Sequence, residues 1–439
     1  MPLSIGVSLI DNVEVGPTVS RSRSNHLGRR AGQALIASLA SVLLSSGGGI
    51  PAQAAANPIQ HILVLMQENR SLDHYFGPPA GASNPNPLNP TGPPITAFHK
   101  TEYCEVADLN HSWNGTHQSW DGGRMDGFTA ANAVPADPTG SRTMGYYDGG
   151  DLPFYYGLYH TFATGDHYFA SLLGPTFPNR FYLLAGTSFG HIRNDLPGPT
   201  GFDQPTVFNL LDAAHVSWKV YYSQIAFADI FAYVRNHAPG NVVPMSDYYA
   251  DAAAGRLPEV SFIDPIFVAA NTVENDEHPP SNVQVGQNFT SGVINALFQS
   301  PNWSSSALFL TYDEHGGFYD HVAPPPAPVP DGIAPLLQPG DVPAAFDRYG
   351  IRLPVVVVSP YSRPRAVSNT VHDHTSILRF IERRFDLPSL TNRDAHANPM
   401  LEFFDFHQAA FATPPSLPAA TIDAAQLAAC ATKPSNGAI

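Results

Sequence analysis

Four short apolar runs constrain the fold of this 439-residue chain more than any other feature, since each one ends abruptly at polar or turn residues. Such near-continuous runs are typical of strands buried on both faces. The segments between the runs repeat apolar residues at helical spacing. Strands that alternate with helices predict an α/β fold with a mostly parallel central sheet and helices on both faces. The four runs are 59–66, 259–263, 307–312 and 353–358.

Two of these runs end in pairs of oxygen-bearing side chains. Glu68 and Asn69 follow the first run, and Asp313 and Glu314 follow the third. Ligands of parallel α/β sheets bind beyond the carboxyl ends of the strands, and four oxygen donors there suit a hard or borderline divalent cation. A zinc site built from cysteines or closely spaced histidines is not supported. The alternative is that each acid only caps a helix or solvates a loop.

A candidate nucleophile lies in the segment 174–180, Gly-Pro-Thr-Phe-Pro-Asn-Arg, which precedes a short apolar run ending at Gly186. Proline favours a first helical turn and glycine a helix end, so Thr176 is expected just before a helix start. Backbone N–H groups there suit a phosphate, and Asn179 or Arg180 would add donors. A divalent cation can activate such a hydroxyl. The alternative is that Thr176 is a plain helix cap.

Histidine is abundant, at 18 residues, and three histidines lie in polar, turn-rich segments. They are His111 in Asn-His-Ser-Trp-Asn, His278 in Glu-His-Pro-Pro, and His374 in His-Asp-His-Thr-Ser. Histidine can protonate a leaving alkoxide or hold a phosphoryl oxygen. A structural hydrogen-bonding role is equally open for each of them, and Asp373 is a candidate cap for the helix that follows it.

Acidic residues outnumber basic ones by 37 to 22, for a formal net charge of −15. A chain of this charge repels polyanions, which argues against a nucleic-acid-binding protein. The 43 prolines predict many ordered loops rather than long helices.

Three segments in order resemble the phosphoesterase family that contains bacterial phospholipases C, plant non-specific phospholipases C and some secreted acid phosphatases. Residues 61–77 resemble its opening motif, 174–180 its nucleophile loop, and 311–322 its second metal block. The resemblance spans roughly residues 58–406.

The resemblance implies a core similar to that of the alkaline phosphatase superfamily. It also implies a divalent metal ion, of no specified identity, bound by Glu68, Asn69, Asp313 and Glu314, with Thr176 as nucleophile and further ligand. His111 and His278, and also His374, are then the candidates for contacting the phosphoryl group or serving the leaving group.

The expected function is therefore that of a secreted metal-dependent phosphoester hydrolase. A threonine nucleophile, where the acid phosphatase branch uses serine, favours a phospholipase C that cleaves phosphodiesters through a phosphothreonine intermediate. The substrate would be a phosphoester, including phospholipid at a membrane surface. The alternatives are an acid phosphatase acting on monoesters and a secreted binding protein without turnover.

The amino terminus reads as an export signal, with four arginines between residues 21 and 30, an apolar run over 31–44 and a small-x-small site ending at Ala54. The apolar run is short of the ~20 residues that cross a bilayer. Ordinary and twin-arginine export both stay open, and a secreted or periplasmic location is expected. Residues 55–410 are predicted as one phosphoesterase domain with a loop-rich cap over about 90–165, and residues 411–439 as an Ala/Pro-rich tail. Pairing of Cys104 with Cys430 is left open.

Overall fold

The computed structural model describes residues 56–433, so the predicted signal peptide, 1–54, lies outside the described residues. The strands are β1 (His61–Gln67), β2 (Ser83–Asn84), β3 (Ile95–Thr96), β4 (Phe98–His99), β5 (Gly145–Tyr146), β6 (Ala163–Gly165), β7 (Trp218–Tyr222), β8 (Val242–Pro244), β9 (Val260–Asp264), β10 (Ser306–Tyr312), β11 (Val355–Val358) and β12 (Val367–Ser368).

The α-helices are α1 (Leu72–Phe76), α2 (Trp113–Trp120), α3 (Phe128–Ala131), α4 (Pro153–Tyr159), α5 (Thr176–Ala185), α6 (Val207–Ala213), α7 (Ala232–His237), α8 (Met245–Ala254), α9 (Val283–Phe298), α10 (His374–Phe385), α11 (Asn392–Ala395) and α12 (Ala424–Cys430). No helix among residues 56–433 has the length and apolar character needed to cross a membrane.

Eight of the strands form one sheet in the order β12-β6-β11-β10-β1-β9-β7-β8. The central strand β1 is parallel to both of its neighbours, β10 and β9, and β9 is also parallel to β7. The expected mostly parallel sheet is confirmed. One strand departs from it, because β11 runs antiparallel to both β10 and β6.

Alternate side chains of β1 enter two separate hydrophobic cores, one on each face of the sheet. Ile62 and Val64 contribute to a core that includes helices α5 and α10. Leu63 and Leu65 contribute to the other core, which includes helices α8 and α9. Helices therefore cover both faces, as the sequence pattern predicts, and this double burial explains why β1 is apolar at almost every position.

Two peripheral segments join this framework. Within the segment 90–165, expected as a cap, β6 lies in the main sheet and α4 buries Phe154, Tyr155 and Leu158 in the core. At the other end of the chain, α12 is fixed by a disulfide between Cys104 and Cys430.

Candidate metal and phosphoryl site

The strand register brings the two predicted ligand pairs together. Gln67 at the end of β1 lies opposite Tyr312 at the end of β10, so Glu68 and Asp313 begin the two adjoining loops. The backbone N–H of Asp313 donates to the Gln67 carbonyl at 3.1 Å, and the Asn69 N–H donates to Oδ1 of Asp313 at 3.0 Å. The two loops are thus hydrogen-bonded to each other as well as adjacent.

The turn after β1 depends on two residue types. Asn69 adopts a left-handed backbone with φ of 64°, which asparagine tolerates better than most residues. A Cβ at Gly316 would come within 2.3 Å of the Asn69 carbonyl oxygen. Glycine at 316 therefore lets the loop that carries Glu314 approach the loop that carries Asn69.

Each of the four predicted metal ligands has one buried oxygen without a hydrogen-bond partner within the described chain. A buried polar atom left in that state is costly. Oxygens of carboxylate and amide groups are the donors that a hard divalent cation takes. The residues present therefore fit a cation by the chemistry of their donors. The atoms are Oε1 of Glu68, Oδ1 of Asn69, Oδ2 of Asp313 and Oε1 of Glu314.

The charges of the site also favour a bound cation, because its buried carboxylates repel one another. Burial and the Asp313 carboxylate raise the pKa of Glu68 to about 8, although Arg180 opposes the shift. Burial also raises the pKa of Glu314 to about 8, against the influence of His111. A divalent cation would keep both carboxylates ionised at neutral pH.

Within the described part of the chain, Arg180 is the one arginine or lysine that forms ion pairs with this group of acids. Its Nη2 lies 3.0 Å from Oε1 of Glu68, an ion pair without hydrogen-bond geometry, and its Nε lies 3.8 Å from Oδ2 of Asp313.

Glu68, Asp313 and Glu314 do not form a tight cluster of ligand atoms. Among residues 56–433, they are not among the groups of acids and histidines whose ligand atoms all lie within 4.8 Å of one another. A group that does meet this limit is Asp108, His111 and His278, beside the acids.

His111 is connected directly to the predicted metal ligands. The Asn69 side chain donates from Nδ2 to Nδ1 of His111 at 3.1 Å, and Nδ1 lies 3.7 Å from Oε1 of Glu314. Because an amide nitrogen can only donate, Nδ1 is the acceptor and neutral His111 carries its proton on Nε2. That N–H is the group His111 would offer to a substrate.

His278 packs edge-on against His111, with ring centroids 5.5 Å apart. Its Nδ1 bonds with the Pro279 carbonyl at 2.7 Å, and its Nε2 lies 3.9 Å from Oδ2 of Asp108. Burial alone would lower the pKa of His278, but Asp108, Glu68 and Glu274 raise it to about 9. These carboxylates favour the protonated form of the ring.

His374 occupies a different position from the one expected. It is fully buried, its Nε2 donates to the Asp313 carbonyl at 2.7 Å, and its Nδ1 accepts from the Tyr168 hydroxyl at 3.0 Å. Burial lowers its pKa to about 3, so the ring is neutral. With both nitrogens engaged, His374 holds the loop of Asp313 and has no proton to offer a substrate. Asp373 caps α10, as predicted.

Thr176 is the first residue of α5, one position later than expected, with Pro175 as the preceding cap. Arg180 lies four residues on, on the same face of the helix, and contacts Glu68 and Asp313. Pro175 lines an open cleft of about 310 Å³ together with His111 and Asn194. Helix α5 therefore starts at the residue after the cleft residue Pro175, and its Arg180 reaches the acids. The helix ends at Gly186, as predicted, and Gly186 has the left-handed conformation.

The donors expected from Asn179 and Arg180 serve the protein instead. Asn179 accepts the backbone N–H groups of Ser171 and Leu172 through Oδ1 and donates through Nδ2 to the carbonyls of Gly174 and Pro175. It therefore fixes the shape of the loop that presents Thr176. Arg180 donates to the Met66 carbonyl at 3.1 Å and faces the acids.

Sequence reasoning did not single out two acids beside His278. Asp276 accepts the Glu68 N–H at its carbonyl and keeps a buried Oδ2 without a partner in the described chain. Glu277, with a left-handed φ of 77°, turns its carboxylate away into a cage where Tyr75, Tyr155 and Tyr312 donate hydroxyls to it. The run Asn-Asp-Glu-His was the available signal, since three of its four members carry carboxylate or imidazole groups.

Buried carboxylates at the carboxyl edge of an α/β sheet, with a hydroxyl at the start of a nearby helix, suit a phosphoric ester hydrolase. The comparison with known protein families leads to the same class of enzyme. Residues 59–388 match the model of the phosphoesterase family, and the chain belongs to that family.

Proteins similar in sequence to this chain include phospholipases C. Phospholipase C B of Mycobacterium tuberculosis is 33% identical over 82% of this chain and 80% of its own length. Non-specific phospholipase C1 of Arabidopsis thaliana is 32% identical over 79% of this chain and 71% of its own. Among solved structures, an alkaline phosphatase superfamily protein from Vibrio parahaemolyticus matches with a TM-score of 0.38 at 9% identity, over 79% of this chain and 72% of that one.

Proposed function

We propose that this chain is a secreted, metal-dependent phosphodiester hydrolase of the phospholipase C type that works through a phosphothreonine intermediate on Thr176. The observation that carries the proposal is the set of four buried oxygens, on Glu68, Asn69, Asp313 and Glu314, that have no hydrogen-bond partner among residues 56–433. The phospholipase C relatives support the choice of phosphodiester over monoester.

The metal would be held by Glu68, Asn69, Asp313 and Glu314, with Thr176 as a further ligand. When bound, it supplies a Lewis acid that lowers the pKa of a hydroxyl and offsets charge on phosphoryl oxygens. Asp276 offers one more buried carboxylate oxygen next to Glu68. The rest of the reaction belongs to groups of the chain.

In the first step, Oγ1 of Thr176, after its hydroxyl proton has been released to solvent, forms a bond to phosphorus while the bond from phosphorus to the alcohol oxygen breaks. His278 gives the departing oxygen its proton, and the Asp108 carboxylate, 3.9 Å from Nε2 of His278, favours the protonated ring beforehand. The Nε2–H of His111, oriented by Asn69, donates to a phosphoryl oxygen. General acid catalysis of this kind contributes roughly 10²–10⁴-fold in rate.

In the second step, water attacks the phosphorus, the bond from phosphorus to Oγ1 of Thr176 breaks, and one proton of the water passes to His278. Thr176 departs as the alkoxide that begins the next cycle, and His278 is protonated again. Two displacements give net retention of configuration at phosphorus. His374 is a positioning residue in this scheme, since its contact is to the backbone of Asp313.

Secretion has its own support in the covalent structure. Cys104 and Cys430 form a disulfide, which persists in oxidising compartments and is rare in the cytosol. The predicted signal over residues 1–54, with the phosphoesterase domain over 55–410, remains part of this proposal.

The test is a substrate panel with and without chelator. Purified protein is assayed with p-nitrophenyl phosphorylcholine, phosphatidylcholine and p-nitrophenyl phosphate. We expect hydrolysis of both diesters, loss of activity on chelation and recovery when divalent metal is returned. A preference for the monoester would favour an acid phosphatase, and hydrolysis untouched by chelator would contradict metal dependence.

A further inference from the structure

Large apolar side chains are exposed on two segments beside the candidate cleft: one follows the cleft residues Arg193 and Asn194, and the other is bonded to Arg193 through the Leu336 carbonyl. Leu196 is 71% exposed, Leu336 is 55% exposed, and Ile333 and Leu337 are exposed as well. We call these four residues the apolar rim. Exposed apolar groups gathered beside a binding cleft mark an interaction surface more often than isolated ones do.

The rim is fixed to the nucleophile side of the cleft. The Leu336 N–H donates to the Gly190 carbonyl at 2.8 Å, and Arg193, which lines the cleft, donates from Nη1 to the Leu336 carbonyl at 3.4 Å. The neighbouring Asn194 accepts the backbone N–H of Phe177, the residue after Thr176, at 2.9 Å. Leu336 is therefore linked to the start of the nucleophile helix through two adjacent residues.

The rim is also fixed to the histidine side. The Val342 N–H donates to Oδ1 of Asn114 at 2.8 Å, and the Trp113 indole donates to the Val342 carbonyl at 3.0 Å. Trp113 and Asn114 open α2, directly after His111 and its neighbour Ser112. The segment that carries Ile333, Leu336 and Leu337 is thus bonded to Arg193 on one side of the cleft and to the start of α2 on the other.

Charge decides which kind of partner this surface fits. The segment 329–342 holds two aspartates and no lysine or arginine, and the chain has a net charge of −15. A surface of anionic lipid would repel it, whereas a zwitterionic surface would accept apolar side chains without an electrostatic cost.

We propose that the apolar rim seats the protein on a zwitterionic phospholipid surface, with Leu196, Ile333, Leu336 and Leu337 in the interface and the cleft facing the lipid headgroups. This inference rests on the proposed function for its choice of partner. It adds that the surface is held by apolar insertion rather than by cationic attraction.

The experiment compares the wild type with Leu196→Ser/Leu336→Ser by sedimentation with phosphatidylcholine vesicles. We expect the vesicle-bound partition coefficient to fall about tenfold, because each leucine loses its apolar transfer term. Hydrolysis of vesicle phosphatidylcholine should fall in parallel, while the rate on soluble p-nitrophenyl phosphorylcholine is unchanged. Leu88→Ser is the matched control, since Leu88 is 66% exposed on a different loop and should bind vesicles like the wild type.

Vesicle binding should also resist added salt and weaken when phosphatidylserine replaces part of the phosphatidylcholine. Equal binding by the double variant, binding that needs anionic lipid, or a dimer held by the rim in sedimentation velocity would each overturn the proposal. If the double variant does not fold, Leu336→Cys labelled with bimane replaces it: a blue shift on phosphatidylcholine vesicles is expected, and an unchanged spectrum overturns the proposal. Failure of the proposed function is a separate result, seen as no hydrolysis of the soluble diester by the wild type.

Discussion

Asn69 donates a hydrogen bond from Nδ2 to Nδ1 of His111 while its own Oδ1 is buried and unpartnered in the described chain. One amide therefore serves two groups, a cation site through its oxygen and an imidazole through its nitrogen. The proton of His111 stays on Nε2 as long as this bond exists.

The replacement Asn69→Asp separates the two roles of this residue. Aspartate keeps an oxygen for the cation but cannot donate to His111, so the preferred imidazole tautomer changes. We expect bound metal to be retained and kcat on p-nitrophenyl phosphorylcholine to fall about 100-fold. Metal analysis and steady-state kinetics on the same preparation measure both, and an unchanged kcat would show that the hydrogen bond to His111 is not used.

The acids of the motif 311–322 differ in what they face. Asp313 has an unpartnered Oδ2 in the candidate site, whereas Asp320 accepts a hydrogen bond from Nε of Arg352 at 3.1 Å. A metal ion that binds only the native state raises the Tm of the wild type. We expect Asp313→Asn to lose both the bound metal and this rise in Tm. Asp320→Asn is the matched control and should keep its metal. Equal metal content in the two variants would remove Asp313 from the ligand set.

The buried carboxyl group of Glu277 is expected to make the free energy of unfolding depend on pH. Burial raises its pKa from 4.5 to about 7, although the hydroxyls of Tyr155 and Tyr75 oppose the shift. A raised folded-state pKa contributes stability that is fully present below pH ~4.5 and is lost as pH rises through about 7. Between pH 5 and pH 8, we expect the free energy of unfolding of Glu277→Gln to fall by about 1–3 kcal/mol less than that of the wild type. Urea unfolding at both pH values measures it, with the exposed Glu102→Gln as control, and parallel pH slopes for wild type and Glu277→Gln would contradict it.

The disulfide ties α12 to Cys104, and the same helix contacts the segment that leads to His278. Asn271 donates from Nδ2 to the Cys430 carbonyl at 2.6 Å, so release of α12 would loosen the segment 271–282. We expect Cys104→Ala/Cys430→Ala to lower the free energy of unfolding by about 2–5 kcal/mol. Hydrogen exchange should speed up over 271–282 and stay unchanged in α10. Protection equal to that of the wild type over 271–282 would contradict the coupling.

The sheet and the meeting of its acids were predictable from the sequence, because both follow from local patterns. Apolar runs such as 307–312 specify strands buried on both faces, and parallel strands necessarily end at one edge. Glu68 and Asp313 therefore had to be neighbours once β1 and β10 were paired. The direction of β11 was not predictable, because the run 353–358 is apolar throughout and its pattern is the same for parallel and antiparallel pairing.

What the sequence could not show depends on contacts between distant segments. His374 looked like a candidate acid, but its two nitrogens meet the Asp313 carbonyl and the Tyr168 hydroxyl, partners 61 and 206 residues away. Arg180 looked like a phosphate donor, but it faces Glu68. Hydrogen-bond partners of buried polar groups are set by the packed fold, and no spacing along the chain encodes them.

The most direct test of the account is to trap the covalent intermediate. Wild-type protein turning over p-nitrophenyl phosphorylcholine is quenched in acid, digested and examined by mass spectrometry, with Thr176→Ala treated in the same way. We predict one phosphorylcholine group on the peptide that contains Thr176, and neither adduct nor turnover in the folded Thr176→Ala variant. Wild-type turnover by Thr176→Ala, or an adduct on any other residue, would contradict the assignment of Thr176 as the nucleophile.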